Sequence, residues 1–218
     1  MLFRSVAVAT IDVEKAVMAL RYSKIGINFY ETLLIANYKP WNLSEDIKYK
    51  RIKAFNNVGE WGKFIIYDLH NYINSKYIIL VHDDGFIVNP LLWDNNFLNY
   101  DYIGAPWPAP KDKNSYRTPS GEIINVGNSV SLRSKQILEM PTKLNLIWEK
   151  FHGNFHEDGF LCVKNRDILI EKGIKFADAK TAYRFSIETK LDYFENKSSF
   201  AFHKWFSDNK DYPDFRYF

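Results

Sequence analysis

The strongest constraint on the fold is the alternation with which the chain begins. Ser5–Ile11 is short, apolar and β-branched, as a buried strand would be. Asp12 stands where a helix N-cap is expected, and Val17, Leu20 and Arg21 give Lys15–Tyr22 a helical spacing. Ile25–Asn28 is a turn, Phe29–Ala36 is a second strand, and Lys39-Pro40 closes it. A β-α-β opening implies parallel strands and a right-handed crossover. The expected architecture is therefore α/β, a mixed central sheet flanked by helices. No repeat, linker or low-complexity segment divides the chain, so residues 1–218 read as one domain.

Further elements extend the pattern. Glu45–Phe55 is basic and of ambiguous type, its run IKYKRIKAF alternating like an exposed strand, and Trp61–Asn74 carries a helical face of Phe64, Ile65, Leu69 and Ile73. Tyr77–Val81 (YIILV) is another buried strand. Ser134–Glu139 begins a helix that Pro141 should stop, and Leu144–Phe151 reads as a short helix. An apolar face follows His156, Gly173–Ala177 reads as a strand, and Tyr183–Ile187 is a candidate strand.

Composition narrows the function. Aromatic residues make 17% of the chain and charged residues 25%, which excludes a disordered tail. The aromatics either fill the core or line a cleft. The net charge of +3 is too small to mark a nucleic-acid binder. The single cysteine, Cys162, fits a reducing compartment. The apolar run near the N-terminus is cut short by Asp12, Glu14 and Lys15, unlike a secretory signal. No stretch approaches the roughly 20 apolar residues of a membrane span. A cytoplasmic protein is expected. Lys48, Lys50, Arg51 and Lys53 suit either a solvated face or peripheral contact with an anionic membrane.

Four short constellations carry the chemistry. YIILV runs into His82-Asp83-Asp84-Gly85, a polar cluster at the carboxyl end of a strand, where α/β sheets place their sites. Adjacent carboxylates with an imidazole suit a divalent cation bound to phosphate, although Asp-Gly is equally a common turn. Val126-Gly127-Asn128-Ser129 is glycine-turn chemistry. Glu157-Asp158, after His156, is a carboxylate pair able to divide positioning and general-base work, or an acidic helix N-terminus. His203 lies among bulky aromatics in Phe200-Ala201-Phe202-His203, where a neutral imidazole is a good metal ligand or a satisfied core residue.

Taken in order, these pieces resemble the metal-dependent glycosyltransferases of the GT-A fold. The runs DGFIVNP, YDYIGAPW, VGNSVSLRS, HEDGF and RFSIE, from Asp84 to Glu188, are similar to the blocks of a bacterial glycosyltransferase family long described only as a domain of unknown function. The resemblance implies a GT-A-like, Rossmann-like fold and a hexosyltransferase-like activity of polysaccharide biosynthesis. It implies a nucleotide-sugar donor, with UDP-sugar first among the candidates, and a glycan or lipid-linked acceptor. Asp84, with His82 or Asp83, would hold Mn2+ or Mg2+ on the donor diphosphate, and His203 would complete the coordination. Asp158 would act as base in an inverting reaction, and Glu157 would orient hydroxyls. Ala9, Thr10, Asp83 and Gly85 would face the donor. Gly127, Asn128 and Ser129 would admit the transferred sugar, while Trp107 and His156 would contact sugar or acceptor. The chain departs from the family pattern at His82, where an aspartate is usual, and at Ser129, where a glycine is common. Two other readings remain from the sequence: a metal-dependent phosphoesterase or nucleotidyltransferase, with Asp94 as an added carboxylate, and a non-catalytic carbohydrate-binding module.

Overall fold

The structure is a computed structural model, and it describes residues 3–108, 117–122, 124, 127, 130–150, 153–188, 191 and 198–203. Strand β1 (Phe3–Ala9), helix α1 (Val13–Ser23) and strand β2 (Glu31–Ala36) form the expected opening, with β1 and β2 parallel. Strand β3 (Ile47–Arg51) adds a parallel edge beside β2, and β4 (Tyr77–Val81) lies parallel to β1 on the other side. Strand β7 (Ser131–Ser134) pairs antiparallel with β4 and with β6 (Tyr102–Ile103). The six-stranded order is β3-β2-β1-β4-β7-β6. A second sheet has the order β5-β9-β8, from β5 (Gly85–Ile87), β9 (Ala201–His203) and β8 (Ser186–Ile187).

Side-chain alternation along the strands sends residues to opposite faces of the sheet. Ala7, Leu34, Ile79 and Val81 join the core beneath α1, whose buried residues include Val13, Ala16, Val17 and Leu20. Val6, Val8, Leu33, Ile35, Ile78 and Leu80 face a second core with Phe64 and Ile65 of α2 (Val58–Tyr67). Asn57 caps α2 by accepting from the Glu60 amide at 3.0 Å, and the Glu60 carboxylate reaches back to the Asn56 amide at 2.9 Å. This reciprocal capping fixes where α2 begins, beside the ends of the parallel strands.

Several boundaries differ from those the sequence suggests. Asp12 is at the N-cap position of α1 but adopts φ 51° and makes no side-chain cap. It pairs instead with Lys15 at 2.9 Å. The segment expected to be one helix over Trp61–Asn74 breaks after α2 into a 3-10 turn at Leu69–Tyr72. Helix α3 (Lys135–Lys143) runs through Pro141. Proline there removes only a hydrogen bond of the closing turns, and the residue is buried. No helix forms over residues 144–150, where Asn145 takes φ 50°. Phe176 within Gly173–Ala177 makes a single bridge to Tyr102 and no strand forms. Tyr183 belongs to α6 (Ala179–Phe185), leaving only Ser186–Ile187 extended.

After α3 come the one-turn α4 (Glu157–Gly159), a π-helical turn (Phe160–Lys164) and α5 (Arg166–Glu171). The aromatic excess resolves mostly into core. Phe3, Phe86, Phe97, Tyr102, Phe160, Phe185 and Phe200 are fully buried. Among the described residues, no helix is long and apolar enough to cross a membrane.

Candidate functional site

β4 ends in a hairpin two residues long. The His82 amide donates to the Gly85 carbonyl at 2.7 Å and the Gly85 amide to the His82 carbonyl at 3.3 Å, leaving Asp83 and Asp84 at the tip. The turn reading of His82–Gly85 is thus met, and the same turn leaves both carboxylates at the end of a central strand. The hairpin's second strand, β5, pairs antiparallel with β9, setting Gly85 opposite His203. A Cβ on Gly85 would meet the His203 ring at 3.2 Å, so the absent side chain admits the imidazole.

This register brings together residues far apart in sequence. His203 Nε2 lies 3.1 Å from Asp84 Oδ2, and His203 Nδ1 lies 3.6 Å from Glu188 Oε1. The side chains of His203 and Glu188 are 10% and 9% exposed, against 45% for Asp84. The triplet is therefore anchored inside and open on the Asp84 side. Burial opposes a charge on His203, but hydrogen bonds and charges from Asp84 and Glu188 outweigh it and push its pKa up to about 10. Burial raises the Asp84 carboxyl, yet His203 prevails and holds it below the usual range. His82 sits edge-on to Trp61, with ring centroids 5.2 Å apart, and 6.4 Å from His203. Burial, then the neighbouring His203 charge, lower His82 to about 4. Burial and the adjacent Asp84 raise Asp83.

Asp83 points a different way from Asp84. It lines a cavity of about 250 Å³ shared with Ala9, Thr10, Phe55, Asn57 and Trp61. The rim is braced from several elements. The Phe55 amide donates to Thr10 Oγ1 at 3.1 Å, and the Trp61 indole donates to the Val8 carbonyl at 2.9 Å. Phe55, Asn57 and Trp61 were not singled out from the sequence. Their only signal was position, just after an edge strand whose end lies beside that of β2.

The acidic pair divides. Glu157 is buried, and its Oε1 accepts from Arg133 Nη2 at 2.9 Å. It is therefore engaged by a cation, a partner the sequence did not reveal. Asp158 is half-buried, and its Oδ1 accepts from the Gly159 amide at 2.7 Å. His156 is exposed at the start of α4 and makes no side-chain cap.

Of the glycine loop, Gly127 is described, and it packs against Trp107. A Cβ on Gly127 would fall 1.7 Å from the Trp107 ring, and a Cβ on Gly104 would fall 1.8 Å from the Gly127 carbonyl oxygen. The missing side chain of Gly127 makes room for Trp107. Trp107 is only 8% exposed, so its ring packs inside the loop rather than presenting an open stacking face. Asn128 and Ser129 lie outside the described residues. Asp94, the carboxylate a phosphoesterase reading would recruit, instead caps Asn96 and pairs with Arg184 at 2.7 Å.

Among the described residues, no three His, Cys, Asp or Glu side chains converge to hold a metal ion by themselves. The 3.1 Å between Asp84 and His203 is that of a hydrogen bond between an imidazolium and a carboxylate. The same two groups would serve a cation once His203 gives up its proton. A carboxylate and an imidazole are suitable donors for Mn2+, and the remaining positions would fall to phosphate oxygens and water.

Parallel strands ending at a cavity, an antiparallel continuation of the sheet and a small second sheet carrying the acid–histidine pair define a GT-A-like α/β protein. The chain belongs to the family described as Protein of unknown function (DUF5672), whose model matches residues 47–203. No curated protein matches the sequence. Among solved structures, the galactosyltransferase LgtC in complex with donor and acceptor sugar analogs is similar, with a TM-score of 0.56 and 10% identity over 94% of this chain and 87% of that one. The bifunctional IspDF from Campylobacter jejuni aligns with a TM-score of 0.48 and 11% identity over 81% of this chain. The chain spans about half of that protein's length (49%). The likeness to LgtC concerns the fold.

Proposed function

We propose that this protein is a glycosyltransferase acting as one catalytic domain. It moves a sugar from a nucleotide-sugar donor, a UDP-sugar first, to a hydroxyl of a glycan or lipid-linked acceptor, with net inversion. The observation that carries this reading is the Asp84–His203 pair, 3.1 Å apart, on the same two-residue hairpin tip whose other residue, Asp83, lines the cavity. Asp84 and His203 would hold Mn2+ or Mg2+, which when bound neutralises a leaving diphosphate as a Lewis acid.

The chain's own residues account for the rest. Phe55 and Trp61 supply apolar walls for a nucleoside, while Asn57 and Thr10 supply hydrogen-bonding groups at its edge. Asp83 accepts hydrogen bonds from ribose hydroxyls. Glu188 holds the far side of the His203 ring and fixes its direction. Asp158 takes the proton from the acceptor hydroxyl. Lys48, Lys50, Arg51 and Lys53, all exposed at the β3 edge, would meet the anionic surface that carries a lipid-linked acceptor. The reading is tested by sugar transfer from a panel of nucleotide sugars with Mn2+, comparing wild type with Asp158→Asn. Full activity in the variant removes Asp158 as base, and no transfer or donor hydrolysis from any donor removes the reading.

A further inference from the structure

Arg133 has no counterpart in the catalytic reading above, yet it is the largest fully buried side chain among the described residues. It leaves β7 between two anchors. Its Nε donates to Ser131 Oγ at 2.9 Å, and its guanidinium lies 5.3 Å from the Tyr102 ring centroid on neighbouring β6. Its Nη2 then meets Glu157 at 2.9 Å, with side chains 0% and 6% exposed. The central sheet is thereby tied to the turn that carries Asp158.

That turn cannot hold its own shape. α4 has three residues, too few to repay the cost of helix nucleation. It runs straight into a π-helical turn, a rare and poorly self-supporting geometry often found at functional sites. The Asn165 amide there closes on the Phe160 carbonyl at 3.1 Å. The direction of Asp158 therefore depends on tertiary anchors. On one side Phe160 packs against Trp148, with centroids 5.2 Å apart. On the other the anchor is Glu157 on Arg133.

We infer that Arg133 and Glu157 form a positioning pair that aims Asp158, and that Glu157 does not itself touch substrate. This rests on the proposed transferase reading for its catalytic consequence, while the placement of the turn is a property of the fold. The test replaces the pair by apolar residues, R133M with E157L, which removes both charges together and so avoids stranding either one. The urea midpoint is expected to stay near wild type. Amide hydrogen exchange over residues 157–165 is expected to speed up at unchanged global stability. In the transfer assay kcat is expected to fall about 100-fold, the scale of a 1 Å misplacement, with donor KM little changed. Slow exchange in that segment, or wild-type kcat, overturns the inference. Should the double variant fail to fold, Glu157→Gln decides. The amide oxygen still accepts from Arg133, so kcat should stay within about tenfold of wild type, whereas a loss as large as that of Asp158→Asn would make Glu157 a catalytic group and overturn the positioning role. If the wild type transfers no sugar, the transferase reading fails, and hydrogen exchange alone still decides the anchoring.

Discussion

Alanine at Gly127 is the sharpest probe of how Trp107 is packed. The added Cβ would stand 1.7 Å from Cε2 and Nε1 of Trp107 and 2.4 Å from its Cδ2. Carbon atoms pack at about 3.5 Å or more, so ring and backbone would have to part by roughly 2 Å. Neither can retreat easily. Trp107 is 8% exposed and belongs to the main core cluster. Gly127 is held by its amide, which donates to the Ala105 carbonyl at 2.7 Å, and Gly104 sits against its carbonyl. Overpacking usually costs about 1–3 kcal/mol, and two blocked directions place this case near about 3 kcal/mol. In a chain of this size that lowers Tm by roughly 6–12 °C. Urea unfolding followed by far-UV circular dichroism measures it directly. Trp107→Ala alone should cost about 3–5 kcal/mol. In that background Gly127→Ala should become nearly neutral, a coupling of about 3 kcal/mol. Gly104→Ala meets a backbone oxygen instead, so its cost should persist when Trp107 is removed. A cost for Gly127→Ala below about 0.5 kcal/mol, or simple additivity with Trp107→Ala, would refute the packing argument.

Other consequences concern the acid–histidine pair and the buried thiol. Asp84→Asn should abolish the Mn2+-dependent rise in thermal stability and cut transfer by more than about 100-fold, the upper end of the loss on removing even an outer partner of a metal ligand. Retained Mn2+ stabilisation would place the cation elsewhere. In metal-free protein the His203 pKa of about 10 exceeds the ordinary 6.5, so its contribution to stability is whole below pH 6.5 and is lost as pH climbs to about 10. Urea midpoints of wild type should fall across that window, and those of His203→Gln should change less; equal slopes would show that the pair does not form. His82, lowered to about 4, acts with the opposite sign: its contribution is present above pH 6.5 and is lost as pH falls to about 4. Burial first, then Asp158, push Cys162 up to about 12, so iodoacetamide at pH 8 should label it only on unfolding, and rapid labelling of folded protein would contradict its buried position.

The parts visible in the sequence are those with local signals. YIILV followed by a polar turn marks a central strand whose end bears function, because burial on both faces erases alternation and the first exposed residues come together. The β-α-β opening was legible for the same reason. Glu188, at the end of the run RFSIE, is hidden because an isolated glutamate carries no spacing that points to His203. Arg133 was hidden more deeply. In SLRS it reads as an ordinary strand residue, and only the β6–β7 register, with Tyr102 beside it, reveals why a cation can be buried there. Pro141 misled because the rule against interior proline weakens in a helix's last turns. Trp107 misled because its exposure depends on Gly127, 20 residues away in sequence and above its ring in space.

The adjacent aspartates show how little redundancy such a site contains. A two-residue hairpin tip turns Asp83 toward the cavity and Asp84 toward His203. The two carboxylates also raise one another's cost of ionisation, and each is relieved differently. Asp84 has a cationic partner that holds it ionised, whereas burial and Asp84 raise Asp83 against the smaller lowering effects of a backbone hydrogen bond and Lys15. A cation held by Asp84 would weaken the field that Asp83 feels, leaving it a better acceptor for hydroxyl groups. The histidine at position 82 belongs to the same logic. A carboxylate there would add a fourth carboxylate to Asp83, Asp84 and Glu188 around the imidazolium of His203. A neutral imidazole, fully desolvated and edge-on to Trp61, adds none. The departure from the aspartate expected at this position thus leaves the acid–histidine pair to Asp84 and His203, with His82 a neutral residue in the cavity wall.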